Sequence, residues 1–118
     1  MTADVLFGLT VAFLATHELD AVKRHEWRIL PLTSWLSDQS GERVFIWSHV
    51  PLFLLILWIA GQGAASTAAL ALSAFAVLHA GLHWLFRAHP QNEFTGAGAW
   101  LLILGAALSG GCHLLAAL

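Results

Sequence analysis

The sequence predicts an all-α protein, a bundle of four transmembrane helices. Of its 118 residues, 58% are hydrophobic and only 10% are charged, and the mean hydropathy is +0.75. A soluble domain carries roughly 25% charged residues, so this composition indicates a membrane protein. Four stretches approach the roughly 20 apolar residues that a helix needs to cross a bilayer. Because lipid offers no hydrogen bonds to the backbone, each stretch should be helical. We expect one integral membrane domain over residues 1–118.

Charged or turn-forming residues delimit the four predicted helices, which run from about residue 5 to 22, 44 to 60, 67 to 86, and 96 to 118. The first ends at Lys23 and the third at Arg87, and glycines follow the second. Ser66 and Thr95 are the predicted N-caps of the third and fourth helices, because a hydroxyl there can accept a bond from a free backbone N–H. Between the first two helices, residues 30–36 are apolar enough to lie along the membrane interface.

The basic residues predict the orientation. Every Lys and Arg lies in or beside the connections at one end of the bundle: Lys23, Arg24, Arg28, Arg43 and Arg87. The positive-inside rule therefore places both of these connections in the cytoplasm and both termini outside.

Charge and cysteine content exclude several classes of protein. The net charge is −2 and no basic patch is present, which excludes a nucleic-acid partner. The single cysteine, Cys112, excludes an internal disulfide and a thiolate-rich zinc site. The expected partners are the lipid bilayer and a hydrophobic small-molecule substrate, and homo-oligomerisation is left open.

Four of the seven histidines fall in the hydrophobic stretches at nearly one depth: His17, His49, His79 and His83. Counted from the nearest cytoplasmic Lys or Arg, they lie roughly 6 to 12 Å into the bundle. An ionisable residue inside lipid is costly, and its default interpretation is a functional site. A single histidine can instead hydrogen-bond a neighbouring helix. Four at one level predict ligands that converge on one point.

The histidines and nearby acids predict a metal site. His79 and His83 are spaced i,i+4 and therefore share one helix face. Imidazole combined with carboxylate suits zinc, iron or manganese. We predict as metal ligands His17, His49, His79 and His83. We predict as catalytic groups Glu18 and Asp20. Candidates for contact with the ligands or the substrate are His25, Glu26 and Arg87.

The run Thr16-His17-Glu18-Leu19-Asp20-Ala21, followed by Arg24-His25-Glu26-Trp27-Arg28, resembles a family of short bacterial membrane proteins of unknown function. That family has a HELDA…RHEW signature and four predicted helices. The resemblance implies the fold, the length and a location in the bacterial inner (plasma) membrane, but no activity. A weaker similarity, in ligand type alone, links the chain to membrane enzymes that bind iron or zinc through histidines. The complete histidine boxes and the HExxH motif of such enzymes are missing.

These features support three classes of function. The leading hypothesis is a metal-dependent enzyme that acts on a lipid or other hydrophobic substrate from the cytoplasmic side. Zinc there would favour hydrolysis of an ester or amide, whereas iron would favour O₂-dependent chemistry. The alternative is a haem-binding electron-transfer protein, with His49 and either His79 or His83 as axial ligands. A metal or proton transporter, or a structural module, is the third class. The nearly apolar outer half of the helices argues against a path through the membrane.

Overall fold

The computed structural model describes residues 1–118 and contains four α-helices and no strand, as the sequence predicts. The helices are α1 (Ala3–Lys23), α2 (Asp38–Gly61), α3 (Thr67–Phe86) and α4 (Ala97–Ala116), and a short 3-10 helix spans Glu26–Arg28. All four α-helices are long and apolar enough to cross a membrane. The molecule is 43 Å long, which matches the roughly 40–45 Å of a bilayer with its headgroups.

The largest departure from the predicted bounds is at α2, which begins at Asp38 rather than near residue 44. The polar segment before residue 44 is helical because Ser37 caps it, accepting a bond of 3.3 Å from the N–H of Ser40. Asp38 in the first turn adds a favourable interaction with the helix dipole. Ser66 caps α3 as predicted. The prediction for Thr95 is wrong: extended Gly96 precedes α4, so Thr95 lies one residue too early to cap it.

Helix α4 lies between α1 and α3 and packs closely on both, whereas α2 makes few contacts with the other helices. The close approach of α4 to α3 depends on Gly110. A Cβ atom built there would lie 2.8 Å from the carbonyl oxygen of Ser73. Small residues are the usual means by which helix backbones approach each other in a bilayer. The rigid part of the fold is therefore the group α1, α3 and α4.

A buried polar layer links these three helices near the end that carries the chain termini. The Nε2 of His113 donates to the carbonyl oxygen of Ala64 at 3.0 Å, so its Nδ1 accepts from the Ser73 hydroxyl at 2.8 Å. The hydroxyls of Thr10 and Ser109 lie 3.2 Å apart and join α1 to α4. Because every polar atom of this layer has a partner, it fixes how the three helices are rotated and shifted relative to one another.

Gly110 and Gly111 provide a matched test of this packing. Changing Gly110→Ala should destabilise the protein by about 1–3 kcal/mol, because the new methyl group pushes α3 and α4 apart. Changing Gly111→Ala should leave stability unchanged or raise it by up to about 1 kcal/mol through helix propensity, since its Cβ would have only an ordinary contact at 3.9 Å. Unfolding midpoints in a denaturing-detergent titration measure both. Equal midpoints for the two variants would contradict the close α3–α4 contact.

Candidate metal centre

Three imidazole nitrogens from two helices meet at the end of the bundle where α1 and α3 terminate. The Nε2 of His17 lies 3.0 Å from that of His79 and 3.2 Å from that of His83. The Nε2 atoms of His79 and His83 are 3.1 Å apart. His17 is completely buried and His83 is 5% exposed. The three rings thus direct one nitrogen each to a common point within the protein.

Hydrogen bonds among the three Nε2 atoms cannot satisfy all of them at once. Each Nε2 either carries a hydrogen or presents a lone pair. With three atoms and two states, at least two atoms are in the same state. The contact between those two is then repulsive, either hydrogen against hydrogen or lone pair against lone pair. A cation at the common point removes the conflict, because all three lone pairs can point at it.

The spacing also suits a metal ion quantitatively. Nitrogens 3.0 to 3.2 Å apart, each about 2.05 Å from a shared ion, subtend angles of about 94 to 103° there. These angles lie between the octahedral value of about 90° and the tetrahedral value of about 109°. The three nitrogens would cap one face of either polyhedron, so further coordination positions remain on the opposite side.

Glu26 is the fourth member of this group. Its Oε1 lies 3.3 Å from the Nε2 of His83, and the four potential ligand atoms all lie within 4.8 Å of one another. The residue is only 4% exposed. Burial works to raise the pKa of Glu26. The hydrogen bond to His83 and the charges of the neighbouring imidazoles outweigh burial, so the pKa lies below its usual value. A carboxylate therefore stands beside the three nitrogens.

A left-handed turn at His25 brings Glu26 into the bundle. α1 ends at Lys23, Arg24 is its C-cap, and His25 has φ +52° and ψ +47°. A left-handed residue at this position commonly ends a helix and reverses the chain, but it is usually glycine. The Nδ1 of His25 lies 2.5 Å from Oε2 of Glu93, which holds the strained turn against the connection before α4.

Phe94 closes the site on the side of α4. Its ring centroid is 4.6 Å from that of His83 and 5.6 Å from that of His17, and the side chain is 2% exposed. The Nδ1 of His17 is buried without a hydrogen-bond partner. Metal-binding imidazoles usually donate through the second nitrogen. His17 departs from that pattern, and packing against Phe94 holds its ring. No sequence pattern indicates Phe94, because its contact with the imidazoles depends on the path of a loop.

His49, which we predicted to be a ligand, lies outside the four-residue group. Its Nδ1 donates to the carbonyl oxygen of Phe45 at 2.7 Å, and its Nε2 lies 2.9 Å from Oε2 of Glu18. Because Nδ1 already carries a proton, the second bond requires one more proton shared between His49 and Glu18. The pair joins α2 to α1, and the metal role of His49 and the catalytic role of Glu18 remain predictions.

The other predicted residues form surface interactions near this end of the bundle. Asp20 accepts a bond of 2.6 Å from Nε of Arg24, whose NH1 also donates to the carbonyl oxygen of Glu93. Arg87 donates to the carbonyl oxygen of Trp84, and its guanidinium lies 3.9 Å from the centre of that indole ring. The structure thus brings together His17, His79, His83 and Glu26, while Asp20, His25 and Arg87 contact other residues.

Fold and site together define a helical protein of membrane type with a His/Glu group that is able to hold a metal ion. The chain belongs to the family of unknown function DUF6713, whose model matches residues 3–118. This agrees with the resemblance to a family of unknown function. No curated protein and no solved structure matches the chain significantly.

The left-handed turn makes the backbone at His25 a sensitive position. His25→Gly should tolerate φ +52°, whereas His25→Val should cost about 1–2 kcal/mol more, because a β-branched residue is strained there. Both variants lose the imidazole, so their difference isolates the backbone. The unfolding midpoints of the two variants measure that difference. A valine variant as stable as the glycine variant would show that the turn does not need the left-handed conformation.

Proposed function

We propose that this protein is a membrane-embedded metalloenzyme that binds one transition-metal ion through His17, His79 and His83. The single observation that carries the proposal is the triangle of Nε2 atoms with sides of 3.0 to 3.2 Å. Such a cluster of ionisable groups inside an apolar bundle is costly unless it has a function. The basic connections at this end support a cytoplasmic location for the site.

The donor set favours zinc or iron. Three imidazoles with a carboxylate are typical ligands of Zn, Fe and Mn. Thiolates, which favour copper(I) and iron–sulfur clusters, play no part, because the single cysteine, Cys112, lies on α4 and is exposed.

Glu26 is the proton acceptor in this proposal. It stands on a short 3-10 helix outside the membrane-spanning helices, and its carboxylate lies 3.3 Å from one of the ligand nitrogens. A catalytic metal site keeps a position open for water or substrate, whereas a structural site is closed by four protein ligands. Three nitrogens on one face leave such a position. A general base must lie within hydrogen-bond reach of the proton that it takes.

The same geometry argues against haem. Two axial histidines bind haem iron from opposite sides, with the macrocycle between them. Imidazole nitrogens 3.0 to 3.2 Å apart leave no room for a macrocycle. His49, the other axial candidate, has its Nε2 2.9 Å from Glu18. A metal ion alone fits the arrangement better than haem does.

Histidine variants distinguish the proposed ligands. Purified wild-type protein should contain about one zinc or iron per chain by elemental analysis. His83→Gln and His79→Gln should lose it, while Glu26→Gln should retain the metal with about 10–100-fold weaker affinity. His49→Gln is the matched control, because it removes a hydrogen-bonded histidine outside the triangle, and it should keep full metal content. If folded wild-type protein purified from metal-replete cells contained no metal, this result would contradict the proposal.

Metal affinity should fall steeply with acidification. Imidazoles must be unprotonated to bind a metal, so protons compete with the metal ion as the pH falls. We expect the affinity to drop by about tenfold or more between pH 7.5 and pH 4, because several imidazoles take up protons together. Equilibrium dialysis against zinc over this range, followed by elemental analysis, measures the effect. A constant affinity over that range would indicate ligands other than histidine.

A further inference from the structure

An apolar groove of about 160 Å³ runs between α3 and the connection that follows the 3-10 helix. Leu82 and Phe86 of α3 line one side, and Leu30 and Pro31 line the other. The groove is thus built from one transmembrane helix and from the segment that the sequence predicts to lie along the membrane interface.

The inner end of this groove is the candidate metal centre. His79, His83 and Glu26 also line it, and they are its only ionisable residues. A molecule in the groove would therefore contact apolar side chains along its length and the metal-binding group at one end.

The groove lies beside an exposed apolar face of α3. On α3, Leu78, Leu82 and Leu85 lie on one face and are 69%, 48% and 72% exposed. In a membrane helix such a face contacts lipid. In the connection just beyond Pro31, Leu32 and Trp35 are 83% and 75% exposed, as expected of a segment that lies in the headgroup region. With exposed apolar side chains on both elements that form the groove, an acyl chain could reach it without crossing water.

We propose that the groove admits an acyl-chain amphiphile sideways from the bilayer and presents its polar head to the metal centre. This inference rests on the proposed function. The occupant is argued from the two chemistries that meet in the groove, apolar walls and a polar metal-binding end. Pockets that enclose a whole ligand usually have volumes of about 300–1,000 Å³. The groove is smaller, so it holds the head and the adjoining part of the chain, and the rest of the chain stays in lipid.

A single amphiphilic substrate can use both the apolar walls of the groove and its polar end. Its tail exchanges one apolar environment for another and pays no cost of transfer through water. Its head leaves the interface for a site that offers a cation and a carboxylate. A water-soluble substrate would gain nothing from the apolar walls, and a substrate without a polar head would gain nothing from the imidazoles.

Alkyl hydroxamates provide a test, because their heads bind metal ions and their tails can be varied. Acetohydroxamate and octanohydroxamate are titrated into the cobalt(II)-loaded protein in phosphatidylcholine nanodiscs, and the visible cobalt spectrum reports binding. Leu82→Trp fills the groove at a half-exposed position. Leu101→Trp, on a 70% exposed position of α4, is the matched control, because it adds the same indole to a lipid-facing surface elsewhere.

We expect Leu82→Trp to weaken octanohydroxamate binding at least tenfold and to leave both acetohydroxamate binding and cobalt content unchanged. Leu101→Trp should change none of these, which also controls for partitioning of the longer probe into the bilayer. If Leu82→Trp loads cobalt normally and binds octanohydroxamate as tightly as the wild type, the groove is not the route and the metal centre stands. If the wild type binds no cobalt, zinc or iron, the metal centre fails and this inference fails with it.

Discussion

The contact among the Nε2 atoms of His17, His79 and His83 is the constraint on which the site depends. Three nitrogens within 3.2 Å of one another cannot all be satisfied by hydrogen bonds among themselves. The carboxylate beside them, Glu26, lies 3.3 Å from the Nε2 of His83 and cannot remove the conflict between the other two nitrogens and their neighbours. The alternative to a cation is a repulsive contact in a region where polar groups are already costly. This conflict is stronger evidence for a metal site than the number of histidines, because isolated histidines can be satisfied, as His113 shows.

The rest of the bundle holds these rings in place. α4 contributes none of the three imidazoles, but it packs between the two helices that do, and the polar layer around His113 fixes their relative rotation at the opposite end. Sites built on helices are more precise than sites built on loops. The three imidazoles accordingly come from helices, whereas Glu26, the group proposed to move a proton, comes from a short turn. Imidazoles on helices and a separately positioned carboxylate are the arrangement that the proposed function requires.

The connections at one end of the bundle complete the site. The connection between α1 and α2 provides Glu26, the left-handed turn that directs Glu26 inward, and one wall of the groove. The Glu93 side chain ties that connection to the loop that carries Phe94. Ordered loops therefore complete the site at this end of the bundle. α2 contributes the contact between His49 and Glu18, and its first residue, Asp38, accepts bonds from Trp27 and Arg28. The helix is otherwise mostly exposed.

The sequence by itself determined the four helices, because length and apolar composition leave few alternatives in a bilayer, and it placed His17, His79 and His83 at one depth. It could not decide which polar neighbours join them. Consecutive residues on a helix point about 100° apart, so only one of His17 and Glu18 can face α3, and the packing of α1 against α4 selects His17. His49 has the right depth, but α2 directs it to Glu18. Glu26 joins the group because His25 adopts a left-handed conformation, which residue type and spacing do not specify. The depth of a side chain follows from the composition of its own helix. The direction in which the side chain points depends on how all the helices are rotated against one another, and only the tertiary structure decides this rotation.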